Sequence, residues 1–319
     1  MRSVVGVIAL LLHAGLMAAA APLLVGCVRW MRARLLGRVG ASVLQPWRDL
    51  RRLVRKQPVV AEGASWVFTT APVVSLGATA AAALLVPSFT LGMATAPAAD
   101  LIVLAGLFAL SRCALALAGM DVGTALGGIG TSRSMTFAVF AEPAFLLVVL
   151  TLALLTSTTN LDVIAGLLRD GTFGLRVSLA LVLISMAMVA LVETGRLPAD
   201  NPATHLELTM VHEAMVLEYS GWHLALIEAT SALKLLIWLS LLAVVFLPAG
   251  IAVSGSGPLA WVTGLAVWVI KIGVMAVALA LFETGIAKMR VFRVPEFLGV
   301  ALLLGLLAAV LLFVSQGFA

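Results

Sequence analysis

Three features of the sequence predict an all-α integral membrane protein with about eight transmembrane helices and cytoplasmic amphipathic helices. Hydrophobic residues make up 62% of the 319 and charged residues only 11%, where a soluble domain is nearer a quarter charged. The apolar residues gather in runs of about 20, the length that crosses a hydrocarbon core. These runs show no turn signal every ten residues, so they predict helices and not barrel strands. Connecting stretches are short, and no repeat has a fixed period. Residues 1–319 are therefore expected to form a single polytopic domain.

The first span, roughly 4–28, begins after Arg2 and passes through Ala18–Ala21, which resembles a signal-peptide cleavage region. The apolar run continues past it to Val28, and nine Lys/Arg follow between Arg29 and Lys56. A signal peptide carries its charge in front, so the segment is expected to remain as a helix. The basic segment 29–62 reads as amphipathic, with arginines snorkelling toward anionic headgroups. The second and third spans, 66–86 and 100–119, follow, with Arg112 near the end of the third.

The fourth span, 135–157, holds Glu142 about 10 Å inside at the helical rise, with Pro143 next to it, where an irregular backbone is expected. The fifth, 172–192, opens with Arg176 and leads into an acidic loop, 193–223. The sixth, 224–248, carries Glu228 and Lys234. The seventh, 259–283, carries Lys271 and Glu283, and the eighth is 297–315.

Lys/Arg excess marks the cytoplasmic face. With the N-terminus outside, the inside segments 29–62, 120–134, 193–223 and 284–296 carry nine, one, one and three basic residues. The outside stretches carry Arg2 and Arg169 alone. This asymmetry places the acidic loop in the cytoplasm.

From Glu193 to Gly221 the chain holds five of its fifteen carboxylates and two of its four histidines, against one base, Arg196. Gly195, Pro198 and Pro202 interrupt the preceding helix. Thr204 and Glu207 then form a T-x-x-E capping box for a short helix reaching Tyr219. His205 and His212 share one face of that helix, Glu207 and Glu218 another, and Glu213 stands between. The HEAMV stretch lacks the second histidine of a zinc protease, because Val216 occupies that place. Cys27 and Cys113 form no CxxC pair, so no cluster or zinc site is expected within this chain.

Carboxylates within spans are costly and pair or serve ion pathways. Glu142, Glu193 and Glu228, beside the acidic loop, form a set that can relay protons through coupled titrations. Static ion pairing between helices, with Lys234, Lys271 and Glu283 as partners, is the alternative for each residue singly.

Four stretches then resemble one family. They are VLQPWRDLRRLVRK (43–56), ALAGMDVGTALGGIGTSRSMTFAVFAEP (116–143), HLELTMVHEAMVLEYSG (205–221) and ETGIAKMRVFRVPEFLG (283–299). The chain resembles the membrane heel subunit shared by respiratory complex I, where it is subunit 1, and the energy-converting nickel–iron hydrogenases. It is most similar to the formate hydrogenlyase and hydrogenase-4 branch. The resemblance implies an eight-helix subunit between a soluble redox arm and an antiporter-like membrane arm. It implies an acid chain of Glu142, Glu193, Glu207, Glu213, Glu218 and Glu228, and docking at Asp121, Arg133, Arg196, Arg290 and Arg293.

The implied partners are hydrogenase large and small subunits and iron–sulfur proteins on the cytoplasmic side. Antiporter-like subunits and the lipid bilayer would surround the spans, with no nucleic acid. The nickel–iron centre and clusters belong to those partners, and this chain carries no cofactor or catalytic residue of its own. A bacterial inner-membrane location follows from the same resemblance.

Two departures bear on quinone. LGRVGASVLQP replaces the GPNR-type stretch that precedes LQ in complex I members, and PADNPATHLELTMVHE replaces their PFDLxEAExEL-type loop. Both favour the hydrogenase branch over the quinone-site subunit of an NADH:quinone oxidoreductase. A stand-alone ion transporter is a third alternative.

Overall fold

The computed structural model describes residues 2–171, 177–197, 212–253, 255–286 and 293–317. Its long helices are α1 (Arg2–Leu35), α3 (Trp66–Leu85), α4 (Leu101–Asp121), α5 (Ala125–Thr156), α7 (Val177–Glu193), α9 (Gly221–Phe246), α10 (Pro258–Gly285) and α11 (Val294–Gly317). Short helices α2 (Gln45–Val54), α6 (Leu161–Arg169) and α8 (His212–Val216) lie between them. Seven of the long helices are long and apolar enough to cross a membrane. The eighth, α7, is a 17-residue apolar helix, and residues 172–176 of its expected span lie outside the described residues. Among the described residues the fold is all-helical, with two isolated β-bridges.

The apolar runs set where the helices exist, and polar caps set several of their starts. The side chains of Ser65, Asp100, Thr124 and Asn160 accept hydrogen bonds from Val67, Ile102, Gly127 and Val163 backbone N–H groups at the starts of α3, α4, α5 and α6. Each satisfies a donor that the first helical turn leaves without a partner. Two elements run past their apolar spans. α1 continues to Leu35 and takes Arg29, Arg32 and Arg34 onto the helix, so the basic segment is split between α1 and α2. A turn at Gly37 (φ 69°) separates them. α5 begins at Ala125, ten residues before the expected span, and passes through Pro143 without a break. Glu142 therefore sits 17 residues, or about 25 Å, from the start of its helix.

α9 is the central helix, and nearly all of Leu233–Val245 is buried. Its Trp238 ring stacks on Phe108 of α4 (5.2 Å) and meets Phe145 of α5 edge-on (5.0 Å). α11 packs between α5 and α7, and α3 lies against α4. α10 packs on α1 at one side of the bundle and keeps the outward row Leu259, Val262, Val269, Val277 and Leu281 exposed. Such a row suits lipid or another membrane chain.

Candidate functional site: a four-charge cluster between two cavities

Charges from four helices meet where α4, α5, α7 and α9 converge. Glu193, the last residue of α7, is clamped by two cations. Arg112 Nη2 of α4 lies 2.7 Å from its Oε1, and Lys234 Nζ of α9 lies 2.7 Å from its Oε2. Arg112 also faces Glu142 of α5, with Nη1 3.1 Å from Oε1. That approach lacks hydrogen-bond alignment, since Nη1 makes no hydrogen bond. Two carboxylates and two cations balance the cluster.

Accessibility separates the four. The side chains of Glu193, Arg112 and Lys234 are 7%, 11% and 15% accessible, and that of Glu142 is 47%. Glu193 is thus locked, and Glu142 is held by one partner at an open face. The Lys234 ammonium also lies 5.8 Å from the centre of the Phe108 ring, an attractive placement for a cation.

Two cavities adjoin the cluster. One, of about 130 Å³, is lined by Ser111, Ser134, His212, Thr230 and Lys234 among others. The second, of about 240 Å³, is lined by Gly106, Phe108, Glu142, Phe145 and Trp238 among others. Arg112 and Glu193 border both cavities, so their ion pair stands as a partition between a more polar chamber and a mainly apolar one. The polar chamber continues into buried hydroxyls. Ser111 Oγ is 2.8 Å from Ser75 Oγ, and Thr79 Oγ1 donates to Ser111 Oγ (3.1 Å). His212 on α8 keeps an exposed surface, yet its ring is set among protein atoms facing Lys234. Desolvation first, and that ammonium second, push the imidazole down to about 4, so it is neutral at ordinary pH.

The remaining expected site residues fall elsewhere. Glu283 does not meet Lys271. Its carboxylate accepts from Arg196 Nη1 (3.2 Å) and Arg32 Nη1 (3.5 Å), tying α10 to α1 and to the turn after α7. Arg196, expected to face a partner, is turned inward onto this acid. Lys271 Nζ donates to the carbonyls of Leu247 and Ala249. A cation there complements the carbonyl end of α9. Asp121 accepts from the Ser65 hydroxyl (2.6 Å) and backbone N–H (2.7 Å), fixing the start of α3 to the end of α4.

Glu213, Glu218, Glu228 and Arg293 are exposed, and Arg133 is half-buried on α5. Glu228 has no charged partner among the described residues. Glu207, Arg290, His205 and the Thr204 capping box lie outside the described residues. Among the described residues, no three His, Cys, Asp or Glu side chains are grouped to hold a metal.

Arg112 is the hub that the sequence did not single out, since its contacts to α5 and α7 join residues far apart in the chain. Its signal is the Ser111–Arg112 pair inside an otherwise apolar run.

The family model for NADH dehydrogenase matches residues 7–314. The chain belongs to this family. Among curated proteins it is similar to formate hydrogenlyase subunit 4 of Escherichia coli strain K12, at 33% identity over 90% of this chain and 92% of that one. It is 32% identical to hydrogenase-4 component C of the same strain, over 84% of each. The H subunit of NADH-quinone oxidoreductase from Chelativorans sp. strain BNC1 is 28% identical over 82% of this chain and 79% of that one. The fold is shared with a chain in the structure of the membrane-bound sulfane sulfur reductase, an archaeal respiratory membrane complex. That likeness has a TM-score of 0.76 at 18% identity, over 95% of this chain and 99% of that one. With seven helices among the described residues long and apolar enough to cross a membrane, this chain is a multi-pass membrane protein.

Proposed function

We propose that the chain is the membrane subunit of a hydrogenase-type complex of the formate hydrogenlyase and hydrogenase-4 kind. It anchors a soluble redox arm at its basic, cytoplasmic end and couples that arm to proton or sodium movement. The carrying observation is the balanced cluster of Glu142, Arg112, Glu193 and Lys234 between two cavities. The identities to formate hydrogenlyase subunit 4 and hydrogenase-4 component C support the choice of complex.

In this reading the coupling is electrostatic. Arg112 serves two carboxylates, so a proton on either one releases the guanidinium toward the other. A negative charge appearing in the polar chamber draws Lys234 away from Glu193. The weakened clamp lets Glu193 take a proton, and Arg112 then shifts to Glu142. When the negative charge is withdrawn, Lys234 and Arg112 return to Glu193, whose proton passes to the released Glu142 carboxylate and from there to the second cavity. The partners in this reading are the hydrogenase large and small subunits and iron–sulfur proteins, which supply the nickel–iron centre and clusters. An antiporter-like membrane subunit covers the open face at Glu142, where a bare carboxylate facing lipid is costly.

The test is to tag the chain, extract it in mild detergent and assay the purified material for partners, nickel, iron and flavin together. Nickel with iron–sulfur subunits and no flavin is the expected result. Flavin with NADH oxidation would move the chain to the quinone-reducing branch, the alternative represented by the 28% identical NADH-quinone oxidoreductase relative. A chain that purifies alone and metal-free would overturn both.

A further inference from the structure

The short helix α2 has three faces. Pro46, Leu50 and Leu53 lie on the side turned to the protein, where α2 packs on α1 and α9. Leu44, just before the helix, and Trp47 and Val54 within it form an exposed apolar strip. Arg48, Arg51 and Arg55, spaced by three and four residues on neighbouring turns, form an exposed basic strip beside it. Both strips line one shallow groove.

The depth of α2 decides what covers these strips. Trp47 Nε1 donates to the carbonyl of Ala19 (3.3 Å), which lies 16 residues, or about 24 Å, back from the end of α1. Val43 crosses α1 at Gly26, where a Cβ would overlap the Val43 carbonyl oxygen. α2 therefore lies against the body of α1 within the depth of the bundle, and not beyond its tip. Arg52 of the same helix, Lys56 just after it, and Arg34 and Arg38 on the stretch before it are also exposed. The one acid on α2, Asp49, is already paired with Arg52 at 3.3 Å.

We infer that α2 is a binding site for anionic phospholipid, with Arg48, Arg51 and Arg55 holding the headgroup phosphate and Leu44, Trp47 and Val54 lying against the acyl chains. The charge pattern selects the headgroup, because guanidinium groups bind phosphate oxygens in pairs. The adjacent apolar strip selects lipid over an acidic soluble protein, which would leave those three side chains without a partner. This site is separate from the charge cluster and does not depend on the coupling reading.

The test is native mass spectrometry of the purified full-length chain, or the complex that it copurifies with, titrated with phosphatidylglycerol or phosphatidylcholine. The wild type is expected to retain phosphatidylglycerol at least tenfold more tightly than phosphatidylcholine. The triple variant Arg48→Gln, Arg51→Gln, Arg55→Gln is expected to lose roughly a hundredfold in phosphatidylglycerol affinity. The corresponding triple Arg→Lys variant, which keeps the charge without the paired donors, is expected to bind phosphatidylglycerol more tightly than the glutamine variant and less tightly than the wild type. Equal binding of the two lipids by the wild type would overturn the inference whether or not any variant folds. So would full phosphatidylglycerol binding by the glutamine variant, and if that variant shed a soluble subunit instead, the strip would be a protein face.

Discussion

Replacing Glu193 by glutamine tests the asymmetry of the cluster. The wild-type group holds two acids and two bases, and the amide leaves one acid against two bases. Glu193 is 7% accessible and meets both cations at 2.7 Å, so the variant breaks buried pairs and leaves charge uncompensated. That costs about 3–5 kcal/mol. Glu142→Gln removes a pair whose acid is 47% accessible and poorly aligned, worth about 0–1 kcal/mol. At roughly 2 °C per kcal/mol for a chain of this size, Glu193→Gln should lower the apparent melting temperature by about 6 °C or more, and Glu142→Gln by about 2 °C at most. Intrinsic tryptophan fluorescence of the detergent-solubilised protein reads both. Adding Lys234→Gln to Glu193→Gln restores charge balance and should cost less than the sum of the single changes. Equal melting of the two single variants would refute the assignment of Glu193 as locked and Glu142 as open.

Three further outcomes follow from other sites. His212 has a folded-state pKa of about 4 against an ordinary 6.5, so between these values the unfolded chain binds the proton first and falling pH removes stability. His212→Gln should flatten that acid-side loss relative to its own stability at pH 7, as urea titrations at several pH values would show. Lys271→Met leaves the Leu247 and Ala249 carbonyls without their cation and should destabilise the chain by about 1–2 kcal/mol. Melting of Lys271→Met against Lys271→Arg, which keeps a donor, checks this. Gly26→Val places a side chain where the Val43 carbonyl passes and should lift α2 off α1, read as faster proteolysis between Arg38 and Lys56 with the spans intact.

The helices were legible because a membrane leaves so few solutions: an apolar run of sufficient length has to be a helix. Their ends were less so. The early start of α5 rests on Thr124 as a cap and on a Gly- and Ser-containing opening, residues 125–134, that hydropathy counts as loop. Pro143 did not break its helix, since proline removes one donor and neighbours can hold the rest of the ladder. The acids of the cluster stood out by being carboxylates in apolar surroundings, and Lys234 stood out as a charge partner, but which acid each cation meets was not legible. An acid for Lys234 was within reach of charge counting, whereas the pairing of Lys271 with backbone carbonyls was not, because a carbonyl carries no mark in a sequence. The inward turn of Arg196 onto Glu283 joins residues 87 apart, a contact that only packing decides.

The most direct measurement is the ratio of ions moved to electron pairs transferred in sealed, inverted membrane vesicles carrying the wild-type complex or Glu142→Gln. Glu142→Gln should keep its redox turnover while ion movement per electron pair falls at least several-fold, because the open acid of the cluster can no longer take a proton. Full ion movement at normal turnover in that variant would contradict it.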